Sequence, residues 1–272
     1  KEGLQERAIF LRNASCIARK IKINIPTFSY LNLFYTWIGL FMYKVISKKK
    51  SLGNNSFLNK VVSSLFFPNI KNENLKGCVS FYDGSFLDTR MIISLLQTAS
   101  SKGANIKNYC EVNGFLYDEN QKIIGVKYFD KFENKDYEIF SKCVINASGA
   151  NVDNMRFLDD KNSDEILALS SGVHIVVKKE FLGSNEALLI SNTSDGRIIF
   201  ILPYLNHCLI GTTDNSCVYE ENIKTKDSEI EYLLNEVNIY FQKPLKKEDI
   251  LSSWSGIRPL IKNTDKSSTQ EI

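Results

Sequence analysis

The 272 residues are enough to bury a full-sized core, as one large or two modest domains. Hydrophobic residues make up 43% and charged residues 24%, an ordinary soluble globular balance. The formal charge of +3 is small, and the lysines are scattered beside acids, which argues against a nucleic-acid surface.

Six cysteines stand far apart, with no CxxC pair and no clustering with the two histidines, so no zinc site is expected. Reduced thiols are expected, with Cys110 and Cys143 as small buried hydrophobes inside strand-like runs. No signal peptide opens the chain. The first residues, Lys1-Glu2-Gly3-Leu4, read as helix interior without a starting Met, so the chain is expected to begin inside a longer protein.

In chain order, residues 4–17 carry a helical apolar face (Leu4, Ala8, Leu11, Ser15). Residues 20–25 alternate with period two and end at Pro26, a short strand. Residues 26–43 have no charge and are dominated by aromatic and aliphatic side chains, with Lys44 and Lys48-Lys49-Lys50 following. Pro26, Ser29, Asn32, Thr36 and Gly39 interrupt the run too often for a membrane span. A core helix is the plainer reading, and a helix lying among lipid headgroups the other. Residues 54–64 read as a short helix. Residues 77–82 read as a strand entering a turn at Asp83-Gly84. Asp88 then caps a helix over 89–101 with an apolar face at Ile92, Leu95, Leu96 and Ala99, closed by Gly103.

Strand-like segments follow at 105–116, 122–129, 137–140 and 143–146, a β-meander whose last member runs into Ala147-Ser148-Gly149-Ala150. Such a small-residue turn before a helix (152–158) lets the backbone approach a cofactor closely. Residues 167–177 form a strand with His174 among aliphatics, where a satisfied core histidine competes with a functional one. Residues 197–215 read as a β-hairpin ending in Gly211-Thr212-Thr213-Asp214. A helix from Asp227 to Gln242 presents Ile230, Leu233, Leu234, Val237 and Phe241, and Pro244 stops it. Residues 251–254 are a last short strand, delivering an arginine in the turn Gly256-Ile257-Arg258-Pro259. Arginines at 197 and 258, threonines, Asp214 and His174 together suggest a site for a small anion.

The order of motifs resembles the membrane-associated FAD-dependent glycerol-3-phosphate dehydrogenases. The resemblance rests on Leu4-Gln5-Glu6-Arg7, Ile38-Gly39-Leu40-Phe41-Met42-Tyr43, Asp88-Thr89-Arg90 and Val144-Ile145-Asn146-Ala147-Ser148-Gly149. Gly172-Val173-His174, Phe200-Ile201-Leu202-Pro203, Gly211-Thr212-Thr213-Asp214 and Ser255-Gly256-Ile257-Arg258-Pro259-Leu260 complete it. Ala150-Asn151 departs from the family's Pro-Trp, and no GxGxxG occurs.

The resemblance implies a mixed α/β fold: part of a Rossmann-like FAD-binding domain (1–19, 76–165, 255–272) with an antiparallel-sheet substrate or cap domain (20–75, 166–254). It implies oxidation of sn-glycerol 3-phosphate by hydride transfer to FAD, with a quinone accepting the electrons. Arg258 and Arg197 are then phosphate ligands, and His174 is a base or a hydrogen-bonding orienter. Thr213 and Asp214 line the pocket, unless Asp214 is a structural ion pair. Val112, Ser148, Gly149 and Gly256 touch the flavin, unless Val112 is plain strand core. A peripheral position on the mitochondrial inner membrane, or on a bacterial cytoplasmic membrane, is implied, with a homodimer among the expected states. The rival readings are an amine or amino-acid oxidoreductase of the same fold, and a non-enzymatic membrane-surface module.

Overall fold

The computed structural model describes residues 2–47 and 51–262. The run Lys48-Lys49-Lys50 lies outside them. In chain order the elements are α1 (Glu2–Asn13), β1 (Ala18–Thr27), α2 (Tyr30–Ser47), β2 (Ser56–Asn59), α3 (Lys60–Phe66) and β3 (Gly77–Phe86). Then come α4 (Asp88–Ser101), β4 (Cys110–Tyr117), β5 (Ile123–Asp130), β6 (Lys135–Phe140), α5 (Val152–Asp159) and β7 (Leu167–Lys178). The series ends with β8 (Ala187–Ile190), β9 (Ile199–Tyr204), β10 (His207–Gly211), β11 (Asn215–Ser216), α6 (Asp227–Asn238) and β12 (Ile250–Ile261). Two compact units result. The first comprises Lys1–Ile93, Gly172–Asp214 and Ile223–Gly256, and the second Ser94–Ser171, Asn215–Asn222 and Ile257–Ile272.

In the first unit the sheet runs β7-β10-β9-β8-β1-β3-β2. The pairings β7–β10, β10–β9, β9–β8, β1–β3 and β3–β2 are antiparallel, and β1 runs parallel to β8. Strand alternation divides the side chains between two faces. Val173, Ile175 and Val177 of β7 join Ile199 and Ile201 of β9 under α6, whose Leu233, Val237 and neighbouring Phe241 close that core. Each such side chain contributes about 1.5–3 kcal/mol by leaving water. The opposite face gathers Ile21, Ile23, Ile25, Phe81 and Leu189, with Phe200 and Leu202 packed against them. The expected hairpin forms: β9 and β10 pair from Tyr204–His207 to Phe200–Gly211. Its two-residue turn holds Leu205 and Asn206 at φ of 43° and 66°, the left-handed pair that suits strand twist.

The second unit contains the antiparallel meander β4-β5-β6, with a bulge between Val112 and Gly114. Asp153 of α5 accepts from the amides of Ile166 and Leu167, tying that helix to the start of β7. Burial pushes the Asp153 carboxyl up, but those two amides and Arg156 outweigh it, leaving the group below its ordinary value.

Several expectations need correction. Residues 56–59 are strand β2 and only then a helix, because their backbone pairs with β3. Asp83-Gly84 is not a turn: β3 continues to Phe86 in register with β1, and Asp83 accepts from Arg7 at 2.9 Å. Residues 143–146 form no strand, since no described strand lies beside them, and Ile145 is exposed. Cys143 is therefore exposed and Cys110 half-buried, whereas Cys78 and Cys208 are the buried thiols; all six are free. Burial pushes Cys78 up to about 11 and Cys208 up to about 12.

Helix α2 is not a core helix either. Leu40 and Tyr43 touch the second cluster, while Leu31, Phe34, Ile38, Phe41 and Val45 form an exposed stripe at helical spacing. The α4 face at Ile92, Leu95 and Leu96 is likewise exposed. No helix among the described residues is long and apolar enough to cross a membrane.

Candidate active site

Alternation along β7 decides the setting of His174. Its neighbours Val173 and Ile175 are fully buried under α6, so the imidazole points to the other face of the sheet. There it stands opposite Gly211 of β10 in the pairing register. A Cβ at position 211 would come within 2.8 Å of the ring Nε2, so only a glycine admits the imidazole. The ring stacks on Trp254 of β12, with centroids 5.7 Å apart and planes 20° apart. Trp254 in turn meets Tyr204 at 6.4 Å.

These three rings line a cavity of about 1610 Å³ whose wall also carries Arg19, Arg90 and His207. Guanidinium groups there make the wall suitable for an anion. Arg90 and Trp254 were not singled out from the sequence as site residues. The available signals were the first turn of a helix after Asp88, and the position directly before Ser255-Gly256.

The other candidates of this unit are placed differently. Arg197 does not line that cavity. Its Nε lies 3.1 Å from Asp195, and its guanidinium sits over the Tyr232 ring at 5.9 Å. Burial pushes the Asp195 carboxyl up; hydrogen bonds from Tyr232, the Arg197 amide and Thr193, with the Arg197 charge, bring it below its ordinary value. Thr213 is 1% exposed, and its hydroxyl accepts from the Val173 amide while donating to Glu229, each at 2.9 Å. That hydroxyl is committed to the fold. Asp214 is half-buried beside it.

Gly256 and Arg258 lie on β12, which is one continuous strand where the sequence reads as a turn, and neither is among the residues lining that cavity. In the second unit, Val112 lines a cavity of about 680 Å³ with Tyr109, Lys131, Asn151 and Tyr219. The Ser148 hydroxyl donates to the Asn146 side-chain Oδ1 at 2.7 Å, and Gly149 takes φ of 59° before α5 begins.

A family model described as FAD dependent oxidoreductase matches residues 4–268. The chain belongs to the FAD-dependent oxidoreductases. It is 35% identical over 275 residues to a probable mitochondrial glycerol-3-phosphate dehydrogenase of Caenorhabditis elegans, covering 100% of this chain and 38% of that protein. Identity to the mitochondrial glycerol-3-phosphate dehydrogenase of Homo sapiens is 33% over 279 residues, with the same coverage, 100% and 38%. The structure of the glycerol-3-phosphate dehydrogenase from Bacillus halodurans, complexed with FAD, superposes with a TM-score of 0.80 at 29% identity, over 95% of this chain and 47% of that one. The chain thus spans less than half the length of these relatives.

In this FAD-dependent oxidoreductase each unit, taken by itself, has a glycine whose bare backbone would let a flavin group approach. At Gly149 of the second unit, and separately at Gly256 of the first, no described atom beyond the chain neighbours lies within 4 Å of where a Cβ would stand, so the bare backbone there is open to a planar or charged group. The turn of small residues at 147–149 keeps that approach clear.

Proposed function

We propose that the full-length protein oxidises sn-glycerol 3-phosphate to dihydroxyacetone phosphate with FAD. The observation that carries this reading is His174, held by Gly211 and Trp254 at the wall of an arginine-bearing cavity. The names of the relatives supply the substrate.

Bound FAD would supply the acceptor for the hydride leaving C2 of the alcohol. The chain's own residues handle charge and proton. His174 takes the hydroxyl proton, since an imidazole titrates near neutrality and suits a general base. Arg258 holds the phosphate dianion, a role that rests on its Gly-Ile-Arg-Pro motif and on the two-oxygen grip of a guanidinium. Arg19 and Arg90 add positive charge to the cavity wall. Val112, Ser148, Gly149 and Gly256 are the residues that would hold the cofactor.

A quinone as final acceptor, the mitochondrial inner membrane as location and a homodimer as assembly belong to the same reading. The apolar stripe of α2 supports a peripheral membrane contact. Anaerobic mixing of the full-length flavoprotein with glycerol 3-phosphate, glycine and sarcosine tests the substrate. Bleaching of the flavin by glycerol 3-phosphate alone is expected; bleaching by the amines alone overturns the proposal.

A further inference from the structure

We infer that Trp254 is a positioning residue for the His174 imidazole, an inference that rests on His174 being the group that takes the hydroxyl proton. A histidine on a strand has a broad, soft χ2, so the backbone of β7 fixes where the ring starts but not which way its nitrogens point. Two neighbours supply part of what the backbone does not. Gly211 removes the side chain that would otherwise fill the ring's place, and Trp254 gives the ring a flat surface to lie on. Near-parallel planes at 5.7 Å match an offset aromatic stack.

Trp254 is itself held by its strand and by one other ring. Strand β12 pairs with β7, and the adjacent Ser255 hydroxyl donates to the Gly172 carbonyl at 3.5 Å, two residues before His174. Tyr204, at the end of the strand that pairs with β10, meets the indole from another element. Core burial does not explain the indole, because Trp254 is 40% exposed and lines the cavity. Among the described residues its ring contacts are the histidine and Tyr204. A large aromatic kept at the cavity wall and laid against a titratable ring acts as a stop for that ring.

The experiment is a double-mutant cycle in the full-length flavoprotein with glycerol 3-phosphate, using Trp254→Ala, Trp254→Phe, His174→Asn and the combination of Trp254→Ala with His174→Asn. Flavin content and near-UV circular dichroism are recorded for each. A misplacement of about 1 Å costs on the order of 100-fold, so Trp254→Ala is expected to lower kcat by roughly 10- to 100-fold with KM little changed. Trp254→Phe, which keeps an aromatic face, is expected to lose less than about threefold. In the His174→Asn background Trp254→Ala is expected to have almost no further effect, the non-additivity of two residues acting as one unit. A full multiplicative loss in that background overturns the inference, as does a loss of flavin in proportion to activity. Unchanged kcat in His174→Asn alone overturns the proton-acceptor reading first, and the positioning role with it.

Discussion

The Thr213 hydroxyl donates to Glu229 at 2.9 Å, joining the end of the β9–β10 hairpin to α6, and both residues are buried. Because the same oxygen accepts from the Val173 amide, this threonine also braces the strand that carries His174. Thr213→Val keeps the shape but strands the Val173 N–H and removes a donor from a buried carboxylate. An unmatched buried polar group costs about 1–3 kcal/mol. The urea midpoint of the full-length protein is expected to fall accordingly, with flavin retained. An unchanged midpoint removes the bracing role.

Gly211 and His174 form a lock in which neither can change size. Gly211→Ala forces its methyl against the imidazole, whose Cγ would lie 2.9 Å away. The ring must swing out, so kcat is expected to drop by roughly 100-fold while stability changes little. Steady-state kinetics beside thermal melts will show whether the two effects separate.

The two arginines first paired as phosphate ligands are expected to part company. Arg197 is engaged by Asp195 and Tyr232 away from the cavity, so Arg197→Met leaves kcat/KM within about threefold and costs no more than about 1 kcal/mol of stability. Arg258→Met abolishes turnover with flavin content intact. Equal loss in both variants would return Arg197 to the substrate site.

The Asp195 clamp carries a pH signature. Its carboxyl sits below the ordinary value of 3.8 in the folded protein, so the charged form is the one that stabilises. That contribution is fully present above 3.8 and disappears as pH falls through the folded value. Urea midpoints of wild type and Asp195→Asn should therefore differ at about pH 6 and converge in acid strong enough to protonate the folded carboxyl. A gap that stays constant across this range means the carboxylate is not the source.

The stripe on α2 offers a test of membrane contact. Trp37→Asp with Phe41→Asp places charge on a face whose side chains are 41% and 58% exposed. Flotation of the full-length protein with anionic liposomes is expected to fall to less than about half. Undiminished flotation assigns the membrane contact to another surface.

The sequence by itself determined the elements whose pattern is local. Two apolar runs of strand length within 197–215, split by a short polar tip, and helical spacing on Ile230, Leu233, Leu234 and Val237 specify the hairpin and α6 without reference to partners. The ordered motifs around His174, Gly211 and Arg258 were sufficient for the family. Tertiary structure decided everything that depends on a neighbour. Residues 143–146 have strand composition but pair with no strand among the described residues, and Asp83-Gly84 has turn composition but is held straight by pairing with β1. The same holds at the site. Arg197 and Arg90 look alike in a list of charges, yet one is paired on its own loop and the other lines the cavity, because a side chain's direction is fixed by the element beneath it. Trp254 became visible only when β12 was laid beside β7 and the indole met the imidazole across 5.7 Å.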